Sequence, residues 1–243
     1  MNRERIVLAF AGDARSCAAV KWLTESCGAD VAALVVDVGQ QDDLEEMRAR
    51  AIVCGAVRAH VLDRCEAFVR DVILPATAAP APPDGEALRR LAHPVIAAAL
   101  LEVAAIEDAG AVAYASADES LGAHIRAIDP AMPVIVPAGE WMPDTRAGRT
   151  GGHLLMRRPA FTAAEPAHVT IEFHERVPVS VNDVPMELRE LIEILSLIGG
   201  EYAPASADTP ALDLLRAAYS ACGGRGSITL QLHPAQPAAL VNR

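Results

Sequence analysis

Short apolar runs alternate with helix-like segments along the first two thirds of the chain. Continuous apolar runs of this length are typical of strands that are covered on both faces of a sheet. The runs that predict strands are residues 6–10, 29–36, 56–62, 111–115 and 133–136. Strands and helices in strict alternation predict an α/β fold, a doubly wound parallel sheet with right-handed crossovers.

Amphipathic or Ala-rich segments separate these strands. The predicted helices are residues 16–27, 42–55, 63–74 and 86–108. In the second of them, Leu44, Met47 and Ala51 recur at helical spacing with charged residues between them. Pro75 predicts the end of the third helix and Gly110 the end of the fourth, because neither residue type continues a helix readily.

The pattern changes near residue 137. A polar, Gly-rich segment is followed by shorter elements of mixed type. These are strand-like runs at 168–173, 177–181 and 226–232 and helix-like runs at 185–198 and 211–222. We therefore predict two domains, a nucleotide-binding-like domain at residues 1–140 and a small α+β domain at residues 141–243.

Composition narrows the class of protein. The 243 residues are 52% hydrophobic with a formal net charge of −11. This acidic balance argues against a nucleic-acid binder, which normally carries a basic surface. No apolar run approaches the roughly 18 residues that a membrane-spanning helix needs. The first residues lack the apolar core of a secretory signal, so we expect a cytoplasmic protein.

The five cysteines form no C-x-x-C pair and do not suggest a metal centre. We predict free thiols rather than a disulfide framework. His60, Asp63 and Cys65 are suitable zinc ligands by type, but no second cluster completes a shell. The alternative, a strand end followed by a helix cap, is favoured, and no metal site is predicted.

The loop after the first strand is the first candidate for chemistry. Ligands of a doubly wound sheet bind at the carboxyl ends of its strands, and a phosphate there prefers glycines. Residues 11–17 (AGDARSC) hold one glycine, Gly12, and a carboxylate, Asp13. At 4 Å and an effective dielectric of 20, that carboxylate would repel an anion by about 4 kcal/mol. Arg15 has two ways to offset this repulsion, an ion pair with Asp13 or a direct contact with the phosphate. The alternative to a phosphate site is a tight turn that only joins the strand to the helix.

Several motifs together resemble the argininosuccinate synthase family of the N-type ATP pyrophosphatase (PP-loop) superfamily. VLAFAGDARSCAAVKWL at 7–23 is similar to the family's opening V-L-A-Y-S-G-G-L-D-T-S and its following helix. DVGQ at 37–40 and LAHPVIA at 91–97 match further family motifs, the second written L-A-R-P-L-I-A. Weaker similarity continues at 146–152, 168–183 and 226–243. The resemblance thus covers most of the chain in order.

The resemblance implies a function and a set of site residues. The family activates citrulline with ATP and Mg²⁺, releases pyrophosphate, and lets aspartate displace AMP. The nucleotide-binding positions so implied are Ala9, Phe10, Ala11, Gly12, Asp13, Arg15, Ser16, Cys17, Val36, Asp37, Gly39 and Gln40. The substrate-binding positions are His93, Asp118 and Arg149.

Departures from the family pattern fall on these same positions. Asp13 replaces the second glycine of the loop, and Arg15 replaces its aspartate. His93 stands where the family has an arginine for citrulline. Residues 116–122 (SADESLG) stand where the family has T-G-K-G-N-D-Q, and Lys21 is the only lysine in the chain. Such replacements remove the positive charge that carboxylates and phosphate require.

Two functions remain open from the sequence. One is a non-catalytic nucleotide-binding or interaction protein that retains the sheet. The other is an active AMP-forming ligase, with citrulline and aspartate or a related substrate. The simultaneous loss of three site elements favours the first. The expected ligand is a nucleotide or a small amino acid, and the Ala-rich helices leave a homo-oligomer or another partner chain open.

Overall fold

The computed structural model describes residues 4–40, 43–77, 85–116, 118–139, 142–143, 163–202, 210–234, 236 and 238–240. Its contacts divide the chain into two compact units. The first comprises Met1–Val38, Asp42–Arg64 and Arg90–Gly152, and the second comprises Gly39–Gln41, Cys65–Arg89 and His153–Arg243. Residues 39–41 and 65–89 group with the second unit, so this division is not a single cut at residue 140. The domain boundary stays a prediction.

Strands and helices follow one another in the order that the apolar pattern indicates. The elements are β1 Arg5–Ala9, α1 Ala14–Ser26, β2 Asp30–Asp37, α2 Leu44–Val53, β3 Arg58–Asp63, α3 Cys65–Phe68, a π-helical turn Val69–Ile73, α4 Leu74–Thr77, α5 Gly85–Leu91, α6 His93–Ile106, β4 Ala111–Tyr114, α7 Ser120–Ile128, β5 Val134–Ile135, β6 Ala167–His174, β7 Val177–Val181, β8 Val184–Pro185, α8 Leu188–Tyr202, α9 Pro210–Cys222, β9 Gly226–Leu232 and β10 Ala239–Leu240.

The first unit is built on a five-stranded parallel sheet. Its strand order is β3-β2-β1-β4-β5, so β1 lies at the centre and the order reverses beside it. Ile6 pairs with Val31 of β2 and with Ala111 of β4. These residues pack on one face of the sheet against a cluster that includes Val20 of α1. Alternate residues such as Val7 are fully buried too, so both faces are covered, and the predicted α/β fold is confirmed.

Two predicted helices differ from the observed ones, and proline explains both differences. The segment predicted as one helix at 86–108 is divided into α5 and α6. Pro94 lies in the first turn of α6, where its missing N–H costs nothing. The helix predicted to end before Pro75 instead continues through the π-helical turn into α4. The wider π turn accommodates the ring where a regular helix would clash.

The second unit contains an antiparallel sheet of order β10-β9-β6-β7-β8 and the helices α8 and α9. β6 and β7 form a tight hairpin whose turn residues, Glu175 and Arg176, adopt φ of +49° and +73°. On β6 the buried residues Val169, Ile171 and Phe173 alternate with more exposed ones, the pattern of a sheet with one covered face. No helix in the described ranges is both long and apolar enough to cross a bilayer.

Candidate functional site

The candidate site lies at the carboxyl edge of the parallel sheet. Three segments lie at this edge: the loop after β1, the end of β2 and the loop after β4. The order reversal at β1 makes this the position where doubly wound sheets bind ligands. Ala9 ends β1, and the buried Phe10 donates its N–H to the Leu34 carbonyl at 2.8 Å. Ala11 follows and is exposed.

Asp13 is the N-cap of α1. Its carboxylate accepts hydrogen bonds from the Ser16 backbone N–H at 2.8 Å and from the Ser16 hydroxyl at 2.7 Å. Aspartate is a preferred N-cap residue, because its oxygen satisfies a first-turn N–H and its charge suits the positive end of the helix dipole. Ser16 is only 1% exposed. A carboxylate therefore occupies a donor that a bound phosphate would otherwise use.

Gly12 is held in place by α2. Its φ is +73°, and an added Cβ would lie 3.0 Å from Cγ of Met47. Arg50, one turn further along α2, donates from Nη1 to the Gly12 carbonyl at 2.7 Å and pairs with Glu46 at 2.6 Å. The loop and α2 thus fit together closely, and any side chain at residue 12 meets both a backbone and a packing restriction.

Arg15 crosses from the first loop to other segments of the same unit. Its Nε donates to the Ala115 carbonyl at 3.1 Å, and its Nη1 donates to the Pro143 carbonyl at 3.2 Å. In the described part of the chain it forms no ion pair with Asp13. The ion pair with Asp13, one of the two alternatives for Arg15, is therefore not formed in that part of the chain. Arg15 instead connects the start of α1 to the backbone at Ala115 and Pro143.

Cys17, in the first turn of α1, forms a disulfide with Cys54, the C-cap residue of α2. Their Cα atoms are 5.3 Å apart, within the usual range for a disulfide. The prediction of free thiols is wrong for this pair. The physical reason is that α1 and α2 contact each other on one face of the sheet, which brings together cysteines 37 residues apart. Cys27, Cys65 and Cys222 form no disulfide.

The end of β2 supplies the second group of predicted nucleotide positions. Val36 and Asp37 are the last two residues of the strand and are buried, and the Asp37 carbonyl accepts the Arg64 N–H at 2.8 Å. Gly39 follows with φ +89° and Gln40 comes next. A glycine is favoured at such a φ, which explains the tight turn at this point. Binding of nucleotide by these residues stays a prediction.

Two of the predicted substrate positions lie close together: His93 at the start of α6 and Asp118 in the loop after β4. His93 Nδ1 lies 2.5 Å from the Ser120 hydroxyl, and the Ser120 N–H donates to Asp118 at 2.9 Å. Asp118 in turn donates its own N–H to the Ser116 hydroxyl at 3.1 Å. A hydrogen-bonded chain thus joins His93 to Asp118 through Ser120. Arg149, the third predicted substrate position, lies outside the described residues.

Burial and neighbouring charges set the protonation of this chain. Burial lowers the pKa of His93 below 6.5; Asp118 opposes this, while His124 and Arg90 add to it. Hydrogen bonds from the Ser120 backbone and hydroxyl hold the pKa of Asp118 below its usual value. At neutral pH the chain therefore carries a neutral imidazole beside an ionised carboxylate.

Sequence reasoning missed Ser120, Met47 and Arg50. The sequence does indicate a contact for Ser120, because an aspartate two residues before a backbone N–H commonly accepts a hydrogen bond from it at the start of a helix. The residue pattern places Met47 and Arg50 in an amphipathic helix and indicates nothing further about them. Their contacts with Gly12 depend on how α2 packs, which the residue pattern does not specify.

His60, considered above as a zinc ligand, contacts a buried carboxylate instead. His60 Nε2 lies 2.7 Å from Glu107, whose side chain is 1% exposed and also accepts from Arg58 and Arg5. This cluster lies where β1 and β3 begin, at the amino edge of the sheet. Within the described residues no group of three potential ligand side chains could hold a metal ion.

Comparison with known proteins gives the class and then the family. The sheet order and the loop after its central strand define a doubly wound α/β domain of the nucleotide-binding kind. A model described as the arginosuccinate synthase N-terminal HUP domain matches residues 5–149, more than half of the chain. The chain therefore belongs to the argininosuccinate synthase family.

Individual relatives agree with this assignment. An argininosuccinate synthase of Caldanaerobacter subterraneus subsp. tengcongensis is 29% identical over 82% of this chain and 61% of its own length. One from Syntrophobacter fumaroxidans is 36% identical over 58% of this chain and 37% of its own length. The chain spans about three fifths of the length of several curated relatives that it matches.

Among solved structures, the similarity is partial. An NAD⁺ synthetase from Burkholderia pseudomallei shares 17% identity with a TM-score of 0.35, covering 46% of this chain and 44% of its own. A likeness at this level carries no argument about function.

Proposed function

We propose that this chain is a non-catalytic member of the argininosuccinate synthase family, a nucleotide-binding or interaction protein that does not join citrulline to aspartate. The observation that carries the proposal is the Asp13 carboxylate bound to both the N–H and the hydroxyl of Ser16. That contact places a negative charge where ATP chemistry needs hydrogen-bond donors for phosphate.

Asp13 disfavours a bound phosphate through its negative charge. A phosphate at a helix N-terminus is stabilised by free backbone N–H groups and by the helix dipole. Here one of those N–H groups already serves a carboxylate, which repels a second anion at short range. Arg15 is hydrogen-bonded to two backbone carbonyls. The loop therefore favours the nucleoside part of a nucleotide over its phosphates.

The substrate side supports the same conclusion. His93 stands where the family has an arginine, and its lowered pKa makes it neutral at pH 7. Asp118 and Glu119 add negative charge in the loop that follows β4. Citrulline and aspartate both carry carboxylates, which need cationic partners. This edge therefore offers a poor site for either substrate.

Magnesium does not fit the described side chains. Asp13 already accepts two hydrogen bonds, and the described ranges contain no group of three carboxylate, histidine or cysteine side chains. We derive no step through Mg²⁺. The proposed ligand is a nucleotide, bound through its nucleoside part. We further propose a cytoplasmic protein that binds neither nucleic acid nor membranes.

An AMP-forming ligase with another substrate is the second candidate. The chain from His93 through Ser120 to Asp118 favours it, because such a connected polar group at a binding edge can position a substrate. The Asp37–Gln40 segment, similar to the family, adds support for a nucleoside site. A ligase of this kind would have to place its phosphates away from Asp13.

Three measurements separate the candidates. Pyrophosphate release with ATP, Mg²⁺, citrulline and aspartate is expected to stay at the no-enzyme background. Calorimetric titration is expected to show AMP or adenosine binding more tightly than ATP. Citrulline-dependent pyrophosphate release would overturn the proposal in favour of the ligase. If no nucleotide shifts the melting curve at millimolar concentration, nucleotide binding is excluded and an interaction protein remains.

The Asp13→Asn variant provides the matched control. Asparagine also caps helices but carries no charge. We expect it to strengthen ATP binding by about tenfold, roughly 1.4 kcal/mol, without changing adenosine binding. Equal effects on ATP and adenosine would show that Asp13 does not act through its charge on the phosphates.

A further inference from the structure

A covalent link joins the loop after β1 to the helix packed beside it. Cys17 lies in the first turn of α1, and Cys54 is the C-cap residue of α2. Both residues are partly exposed at the surface and also pack against the hydrophobic cluster of the first unit. The remaining cysteines form no disulfide, and Cys27 lies at the opposite end of α1.

Besides the disulfide, two other contacts in the described part of the chain connect α2 to residues 12–17. Met47 packs against Gly12, Arg50 donates to the Gly12 carbonyl, and Cys54 bonds to Cys17. The first two are non-covalent and persist in either redox state. The third forms and breaks by thiol chemistry. The chain thus carries a chemically reversible connection beside its candidate binding loop.

We propose that Cys17 and Cys54 are a reversible dithiol/disulfide pair, a modification site at which low-molecular-weight disulfides oxidise this protein and fix the loop after β1 to α2. The proposal does not depend on nucleotide binding or on catalysis. It assigns the oxidant by chemical class, and it predicts a local change in the first unit.

The exchange balances in two steps. One protein thiol loses its proton, and its thiolate attacks a sulfur of the small disulfide; a mixed disulfide forms, and one small thiolate leaves and takes up a proton. The second protein thiol then loses its proton and attacks the protein sulfur of the mixed disulfide. The second small thiol is released. The protein pair is oxidised by two electrons, and one small disulfide is reduced to two thiols.

The first test counts and maps thiols. The full chain is reduced, freed of reductant and incubated with oxidised glutathione, and free thiols are titrated after denaturation. We expect five thiols before treatment and the loss of two of them to a disulfide that peptide mass mapping places between Cys17 and Cys54; glutathione bound to any other cysteine is counted separately by its mass. Dithiothreitol should restore all five. A different pairing, or no loss of intramolecular thiols, would overturn the proposal.

The second test asks whether the pair restrains the loop. Hydrogen–deuterium exchange should be several-fold slower in residues 10–20 and 44–57 of the oxidised protein, with no change in residues 188–202. Closing a loop of this length should also raise Tm by roughly 5–15 °C. Equal exchange in both redox states would show that the bond forms without restraining the loop.

Matched variants separate this pair from other thiols. Cys17→Ser and Cys54→Ser should each abolish the redox-dependent change in exchange and in Tm. Cys27→Ser, a change on the same helix α1 at an exposed and unpaired cysteine, should leave both changes as in the unmodified chain. Loss of the response in Cys27→Ser would contradict the assignment. The mass mapping of the unmodified chain tests the pairing even if a variant folds poorly.

Discussion

The two edges of the parallel sheet hold their carboxylates in different ways. At the amino edge, buried Glu107 accepts hydrogen bonds from Arg5 at 3.0 Å, Arg58 at 3.1 Å and His60 at 2.7 Å. At the carboxyl edge, Asp13 and Asp118 are held by serines that are two or three residues away in the chain.

The difference shows which carboxylates depend on the assembled sheet. Glu107 connects the end of α6 to the beginnings of β1 and β3, so its contacts require the assembled sheet. The local caps of Asp13 and Asp118 can form within a single loop–helix junction. We infer that Glu107 joins elements that are distant in the chain, whereas Asp13 and Asp118 each stabilise one junction.

Replacing Glu107 should give the largest loss of stability. Glu107→Gln removes the charge that Arg58 and Arg5 share, and we expect it to lower the free energy of unfolding by about 2 kcal/mol. Urea denaturation measures this. Glu102→Gln breaks an exposed pair with Arg64 and should cost less than about 0.5 kcal/mol. Equal losses in the two variants would remove the distinction between the buried cluster and a surface pair.

Low pH should reduce the loss of stability that Glu107→Gln causes. Burial raises the pKa of Glu107, but hydrogen bonds from His60 and Arg58 outweigh burial and hold the pKa below 4.5. The carboxylate therefore contributes stability above the unfolded-state pKa, and that contribution is lost as pH falls through the lower folded-state pKa. The gap between the unmodified chain and Glu107→Gln should narrow below about pH 4. A constant gap at every pH would argue against a charge-based role.

Gly12→Ala should give the largest loss at the carboxyl edge. The substitution combines a positive φ with a 3.0 Å approach to Met47, and we expect a cost of about 1–2 kcal/mol. Gly28→Ala is the matched control, because its φ is +64° and nothing lies within 4 Å of the added Cβ. The difference between the two variants measures the contact with α2. Equal costs would mean that the Met47 contact adds nothing.

The local caps should matter less. Asp118→Ala removes the acceptor of the Ser120 N–H and should cost about 1 kcal/mol by thermal or urea unfolding. Asp118→Asn keeps an acceptor and should restore most of that loss. A cost for Asp118→Ala as large as that of Glu107→Gln would break the comparison between the edges.

The smallest expected effect is the pH dependence that His93 contributes. Its lowered pKa means that the unfolded chain binds a proton more readily, so stability is complete above pH 6.5 and declines as pH falls toward the folded-state pKa. The decline should be a fraction of the effect of Glu107→Gln. His93→Asn should abolish it, as shown by unfolding curves at pH 7 and pH 5. An unchanged pH profile in the variant would assign the dependence to other groups.

The apolar pattern predicts the sheet well for a physical reason. Strands such as Asp30–Asp37 are buried on both faces, and continuous burial leaves a continuous apolar run that is readable without tertiary contacts. The boundaries of helices are predicted less well where a proline lies near them. Pro94 divides a segment that looks continuous, and Pro75 is accommodated by a π-helical turn.

The site is less predictable because its contacts join distant residues. The position of the loop after β1 follows from the fold. The structure connects His93 to Asp118 through Ser120, but their assignment to a substrate site stays a prediction. The orientation of Asp13 depends on a competition between its own helix and a ligand, which composition does not resolve. The Cys17–Cys54 bond requires two helices to lie side by side, so spacing along the chain gives no sign of it.

The hydrogen bonds of Arg15 bear on how related sequences are interpreted. An arginine in a loop of this kind is readily counted as an anion contact, yet two of its donors are directed at the Ala115 and Pro143 carbonyls. Lysine lacks the planar, multi-donor geometry that reaches two such acceptors at once. The aspartate that the family pattern has at this position carries no side-chain N–H donor and cannot form this brace either. A single substitution thus gives this chain a connection between the start of α1 and two distant backbone carbonyls that the family pattern does not provide.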